Sequence, residues 1–250
     1  MVVVKNVSKW GNGAGVLLPK EWIGKQVKVI LIDRTSDIKN EVFKILEPYL
    51  SDVLGVYLTG SYARGEQEPD SDIDIVVISN NTRKDIKSGK YHISIITLDG
   101  ARKTLEKNPI LILPRLYEAR PILNGSLLDE LNSVKITLKS FKGFLDESKN
   151  VINICEQFLK LDKEQGRIQL DSEQILYPLI LRLRGIFLIN SVLRKQKYSK
   201  EKFIKSLTLD KAEAQRVYFD YKQIRDGKKV TKSITIATVE QLLSHAKTEL

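Results

Sequence analysis

Sulfur and imidazole are scarce in these 250 residues, which hold one cysteine, one methionine and two histidines. The lone Cys155 excludes an internal disulfide framework and a cysteine-rich zinc site, and its apolar neighbours at helical spacing make it an expected core residue. His92 and His245 lie far apart in sequence, so a histidine metal cluster or a Ser-His-Asp triad has no basis. No apolar run approaches the roughly 18 residues of a membrane span, and the amino-terminal stretch lacks a signal-peptide pattern. The expectation is a cytoplasmic protein with no membrane partner. Little Met and Cys beside much Lys, Glu and Ile is also a composition found in heat-adapted proteins.

Positive charge is what the chain has in excess. Lys and Arg number 41 against 31 Asp and Glu, a formal net charge of +10. That balance favours nucleic acids or nucleotides as partners, although a solvated basic surface has the same composition. Hydrophobic residues make up 42% of the chain, enough for ordinary cores, and the length suggests two domains with a small appendage.

The most informative stretch is LTGSYARGEQEPDSDIDIVVI, residues 58–78. An apolar run, Val53 to Leu58, suits a short buried strand; the chain then turns through Gly60 and Ser61, crosses a polar loop and re-enters a β-rich run at Ile73. Period-two alternation puts Asp72 and Asp74 on one face and Ile73 and Ile75 on the other. Aspartate is disfavoured in strands, and two on one face repel unless a cation lies between them. Paired carboxylates beside a turn rich in backbone N–H groups suit holding a divalent metal against a phosphate chain.

The chain opens with a small β unit, residues 1–34. Val2–Val4 read as a strand, Lys9–Gly15 as a turn, and Val16–Pro19 and Val27–Ile32 as further strands. About thirty residues cannot bury a core alone, so this piece must pack on something else. The run KWGNGAGVLLPKEWIGKQVKVIL resembles the swapped-hairpin DNA-binding modules of the AbrB/SpoVT type. The resemblance implies a homodimer and DNA contact through Lys5, Lys9, Lys20 and Lys25, chiefly to phosphate and therefore salt-dependent. The plainer alternative is that these lysines are the solvated face of a dimerisation hairpin.

Next come a helix over Ile38–Leu50, strands over Val53–Thr59, Ile73–Ser79 and Tyr91–Thr97, a helix over Leu98–Lys107, and a short helix with a last strand within residues 109–123. Gly60-Ser61, ten residues, then Asp72-Ile73-Asp74 resembles the signature of the DNA polymerase β-like nucleotidyltransferases, most of all their minimal prokaryotic branch, over residues 37–125. The resemblance implies a nucleotide held at Gly60 and Ser61, with Arg64 as a candidate phosphate clamp. It also implies Mg²⁺ or Mn²⁺ on Asp72 and Asp74, and transfer of a nucleoside monophosphate from an NTP, expected to be ATP, to a hydroxyl. The acceptor is left open among protein, RNA and small molecule.

One departure stands out. Such enzymes carry a third carboxylate on a neighbouring strand, but that strand here reads YHISIIT, with His92 or Ser94 at the inward position and Asp99 just beyond its end. An imidazole can take a hydroxyl proton, so His92 joins Asp99 as a candidate base. Slow transfer on two ligands, a base from either residue, and nucleotide binding without turnover all remain open.

From about Ser126 the periodicity is helical: Leu127–Leu131, Lys135–Leu161, Ser172–Arg194, Lys200–Ser206, Lys211–Arg225 and Ala237–Leu250. A basic cluster, Arg182, Arg184 and Arg194 with Lys195 to Lys205, is a nucleic-acid surface or simply a solvated face. A bundle after a minimal nucleotidyltransferase resembles the HEPN-type or substrate-binding helical domains, yet no Arg lies four to six residues before a His, so RNase activity is not inferred. The expected fold class is α+β: a β-hairpin module (1–34), a small mixed-sheet nucleotidyltransferase domain with helices on one face (37–125), and an all-α bundle (126–250) for substrate or partner. The alternative function is a nucleotide-binding, catalytically weak DNA-binding regulator that uses the hairpin.

Overall fold

The computed structural model describes residues 5, 7–28, 35–166, 169–170, 172–228, 230 and 234–250. They fall into two compact units, residues 1–40 and 41–250. In the first, β1 (Ser8–Trp10) and β2 (Gly13–Gly15) form an antiparallel hairpin. Gly11 supplies the positive φ that a tight hairpin turn requires at its first central position. Pairing therefore starts inside the stretch expected to be the turn, and Val16–Pro19 is not a strand. The expected strand at Val2–Val4 and most of the one at Val27–Ile32 lie outside the described residues. None of the described residues up to Lys28 is buried; Val7, Trp10, Leu17, Ile23 and Val27 are exposed, as suits a piece too short for a core.

Helix α1 (Thr35–Leu46) buries Ile38, Val42 and Leu46, one per turn, and gives way to a 3-10 segment at Glu47. Pro48 explains the early stop: it has no N–H to donate to the Lys44 carbonyl four residues back. There follow β3 (Val53–Thr59), α2 (Gly60–Arg64), β4 (Ile73–Ser79), β5 (Lys84–Ser88), β6 (Tyr91–Thr97), α3 (Leu98–Lys107), α4 (Leu113–Glu118), β7 (Arg120–Leu123) and α5 (Gly125–Asn132). The strands form one mixed sheet in the order β5-β6-β4-β3-β7, in which only β4 and β6 run parallel. The expected strands at β3, β4 and β6 have the expected ends. Strand β5, sequence KDIKS, carries one apolar residue in five and is an edge strand with exposed charges, so no periodicity announces it.

Val76 and Ile78 of β4 join Tyr57, Leu105, Leu116, Leu128 and Phe141 in a core that packs the sheet against α3, α4 and α5. A second core lies among α6 (Lys142–Glu164), α7 (Tyr177–Leu193), α8 (Lys200–Ser206), α9 (Lys211–Arg225) and α10 (Ile236–Glu249), with Cys155, Leu179, Leu183, Phe203, Val217 and Leu242 at its centre. Cys155 is thus a core residue. Helix α7 serves both cores, since Leu183 belongs to the second and Ile189 to the first. A π turn, Ser172–Leu176, precedes it, so the α-helix begins later than Ser172. Pro178 lacks the N–H that a regular turn would donate there. By length and composition the stretch Gln174–Leu193 passes for a membrane span, but half of that window is buried inside the protein.

Candidate active site

The antiparallel register of β3 and β4 sets Thr59 opposite Asp74, and the Thr59 hydroxyl donates to the Asp74 carbonyl at 3.2 Å. The chain then turns at Gly60, whose φ is +69°. A Cβ at this position would collide with the Asp74 carboxylate. Glycine is demanded here by its backbone angle and by the close approach of Asp74.

Asp72 just before β4 and Asp74 as its second residue alternate onto the face that continues into Val76 and Ile78. The parallel register of β4 and β6 sets His92 beside Asp74, with Nδ1 3.7 Å from Oδ1. Burial pushes the Asp74 carboxyl above its ordinary range, nearby Asp72 adds to the shift, and Arg115, His92 and Arg225 oppose it. Gly60, Ser61, Asp72, Asp74 and His92 therefore converge. Ser94 lies two residues further along the strand, level with Val76.

Asp99 does not join them. Thr97 is level with Ser79 at the other end of β4, five residues or roughly 16 Å along the strand from the Asp74 end, and Asp99 lies beyond it in the first turn of α3. Its carboxylate is exposed and paired with Lys103 at 2.7 Å.

Arg64 has its partners within the protein. Its Nε donates to Glu66 at 2.8 Å, its Nη1 donates to Glu118 at 2.7 Å, and the guanidinium stacks 5.0 Å from the Tyr198 ring centroid. The expected phosphate clamp is occupied within the protein. Arg184 of α7 stacks on the same ring at 5.0 Å. Downstream, the Lys200 N–H donates to Glu66 at 3.0 Å, while the Lys200 and Lys222 ammonium groups each donate to Glu68 at 2.7 Å and pull its carboxyl down to about 2. The loop between the glycine turn and the aspartates is thereby tied to α8 and α9.

Glu118, Arg115, Tyr198 and Lys222 escaped sequence reasoning, because the groups they act on lie far off in the chain; so did Arg225, which is paired with the adjacent Asp226 and acts on the distant Asp74 only electrostatically. The one signal at Glu118 was a carboxylate next to an apolar stretch.

Among the described residues no three His, Cys, Asp or Glu side chains cluster to hold a metal. Two carboxylates are nonetheless a fitting donor set for a hard cation that arrives with phosphates, since such an ion needs only one or two from the protein. Their mutual repulsion in a half-buried place is what a cation would relieve.

Residues 39–161 match the family model of the nucleotidyltransferase domain. The chain carries a nucleotidyltransferase domain. Residues 1–35 match a different model, described as "Putative transposon-encoded protein", and the AbrB-like resemblance of that segment gains no support. Among solved structures, the chain is similar to spectinomycin adenyltransferase AAD(9) from Enterococcus faecialis, solved with ATP and spectinomycin, at 14% identity and a TM-score of 0.48, over 85% of this chain and 99% of that one. It is also similar to a nucleotidyltransferase-like protein from Exiguobacterium sibiricum 255-15, at 12% identity and a TM-score of 0.37, over 85% of this chain and 74% of that one. No curated protein gives a significant match. Within the nucleotidyltransferase domain, the position where the third carboxylate was sought is taken by His92, level with Asp74.

Proposed function

We propose that this nucleotidyltransferase moves a nucleoside monophosphate from an NTP, with ATP the expected donor, to a hydroxyl of an acceptor, using Mg²⁺. The observation that carries the reading is the meeting of the Gly60-Ser61 turn with Asp72 and Asp74 at one end of the sheet. Ser61 offers an N–H and a hydroxyl to the phosphates, and neither has another partner among the described residues. Asp72 and Asp74 would hold the cation. When bound, Mg²⁺ neutralises phosphate charge and orients the attacking hydroxyl.

Arg115 and Arg225, which act on Asp74 electrostatically, add positive potential where a triphosphate would lie. As the acceptor oxygen bonds to the α-phosphorus, the bond to the bridging oxygen breaks and pyrophosphate leaves with the electron pair. His92, beside Asp74, takes the acceptor's proton.

Titration calorimetry of the full chain with ATP tests the donor site. Binding is expected with Mg²⁺ and should weaken about tenfold or more in Asp74→Asn, the cost of a lost charge-assisted contact. Equal binding by the variant would refute the placement.

A further inference from the structure

We infer that Glu118 is a positioning residue of the donor site, holding the glycine turn in its working shape and neutralised there by Arg64; this rests on the nucleotidyltransferase reading above. Strand β7 explains how it gets there. Leu58 of β3 pairs with Arg120 of β7, and two residues further along that antiparallel register Gly60 comes opposite Glu118. Glu118 sits at the end of α4, whose Leu113, Pro114 and Leu116 are all buried, and is itself buried. A carboxylate in such a place is costly unless it is fully paired.

Both of its partners belong to one short element. Oε1 accepts the Gly60 N–H at 2.9 Å and Oε2 accepts Arg64 Nη1 at 2.7 Å, which are the first and last residues of the five-residue α2. One side chain thus grips both ends of the segment that presents Ser61. The first N–H of the turn is taken, and Ser61 becomes the first donor left for a phosphate.

Charge sharpens the role beyond that of a structural bolt. A bare carboxylate behind a phosphate-binding turn would repel the ligand; Arg64, which also bonds Glu66, and Arg184 offset its charge. Burial pushes the Glu118 carboxyl up, and Arg64, the Gly60 N–H and Arg184 oppose the shift. Losing Arg64 alone should therefore harm nucleotide binding more than losing both charges. A role confined to stability does not predict that order.

The test uses the full-length chain and ATP with Mg²⁺ in titration calorimetry, with melting curves for each variant. Glu118→Gln keeps the volume but leaves one acceptor oxygen where the Gly60 N–H and Arg64 Nη1 need two, so it releases one end of α2 and should bind ATP roughly tenfold more weakly, the scale of one charge-assisted hydrogen bond. Arg64→Met should bind more weakly still. The double variant should recover to near the level of Glu118→Gln, a non-additivity that marks a coupled pair. Where transfer is measurable, the loss should appear in KM for ATP with kcat nearly unchanged. Folded Glu118→Gln binding ATP as tightly as wild type would overturn the role of Glu118 alone, as would two single effects that simply multiply. A folded wild-type chain that binds no ATP would overturn the donor-site reading, and the role with it.

Discussion

Gly60 is constrained twice, by a left-handed backbone angle and by the Asp74 carboxylate packed where a side chain would begin. Gly60→Ala should lower stability by about 1–3 kcal/mol in urea denaturation, the usual cost of such strain, and weaken ATP binding alongside. His92 stands beside Asp74 where a carboxylate was sought. If it takes the acceptor proton, His92→Ala should reduce kcat by about 100-fold or more and leave ATP affinity within about twofold; unchanged kcat would remove it from the chemistry. Gly60, Ser61, Asp72 and Asp74 were legible in the sequence because strand alternation and one short spacing determine them. Arg64 was expected in a loop as a phosphate clamp and instead ends α2 as a partner of Glu118, a contact that depends on the pairing of β3 with β7. Asp99 looked close along the chain, but a strand carries its last residues away from its first.

Strands β3, β4 and β6 could be read almost to the residue, because their buried faces alternate or run continuously apolar. Strand β5 could not, nor could the late start of α6 after the 3-10 turn Leu138–Phe141. Pairing with β6 decides the first, and a capping box between Thr137 and Ser140 marks the second. Helices α6 and α7 meet at Gly185, where a Cβ would run into the ring of Phe144, and Arg182 stacks on that same ring at 5.3 Å. Gly185→Ala should cost about 1–3 kcal/mol through overpacking, read as a lowered urea midpoint with little change in ATP affinity.

The loop that α8 and α9 hold through Glu68 gives a pH signature. The Glu68 carboxyl is depressed in the folded protein, to about 2 from an ordinary 4.5, by hydrogen bonds from Lys200 and Lys222. Its stabilising contribution is therefore complete above the unfolded value and lost as pH falls through that window. In melts across pH 6 to 2, Glu68→Gln should be less stable than wild type at the upper end, and the gap should close toward about pH 2. A gap independent of pH would show that these contacts do not matter to stability. Glu68 is nearly half exposed, so the effect should be modest and weaken with salt.

At the scale of the whole molecule, the hairpin unit has a charge balance of its own. The described part of the hairpin unit up to Lys28 has five lysines, Lys5, Lys9, Lys20, Lys25 and Lys28, against one acid, Glu21, with Trp10 exposed at the turn. If Lys5, Lys9, Lys20 and Lys25 hold DNA phosphates, replacing all four with Ala should abolish a low-salt gel shift on duplex DNA and leave ATP binding intact. A shift that persists would return those lysines to solvent. The larger unit joins the sheet of the nucleotidyltransferase domain to the helices through α7 and through Glu66, Glu68 and Tyr198, so α8 and α9 belong to the surroundings of the proposed donor site.

The most direct measurement of the central claim is incubation of the full chain with Mg²⁺, candidate hydroxyl acceptors, and ATP labelled at either the α- or the γ-phosphate. Nucleotidyl transfer predicts that the α-label appears on an acceptor, that the γ-label leaves as pyrophosphate, and that Asp72→Ala and Asp74→Ala each abolish the transfer. Transfer of the γ-label, or α-label transfer that survives both substitutions, would contradict the account.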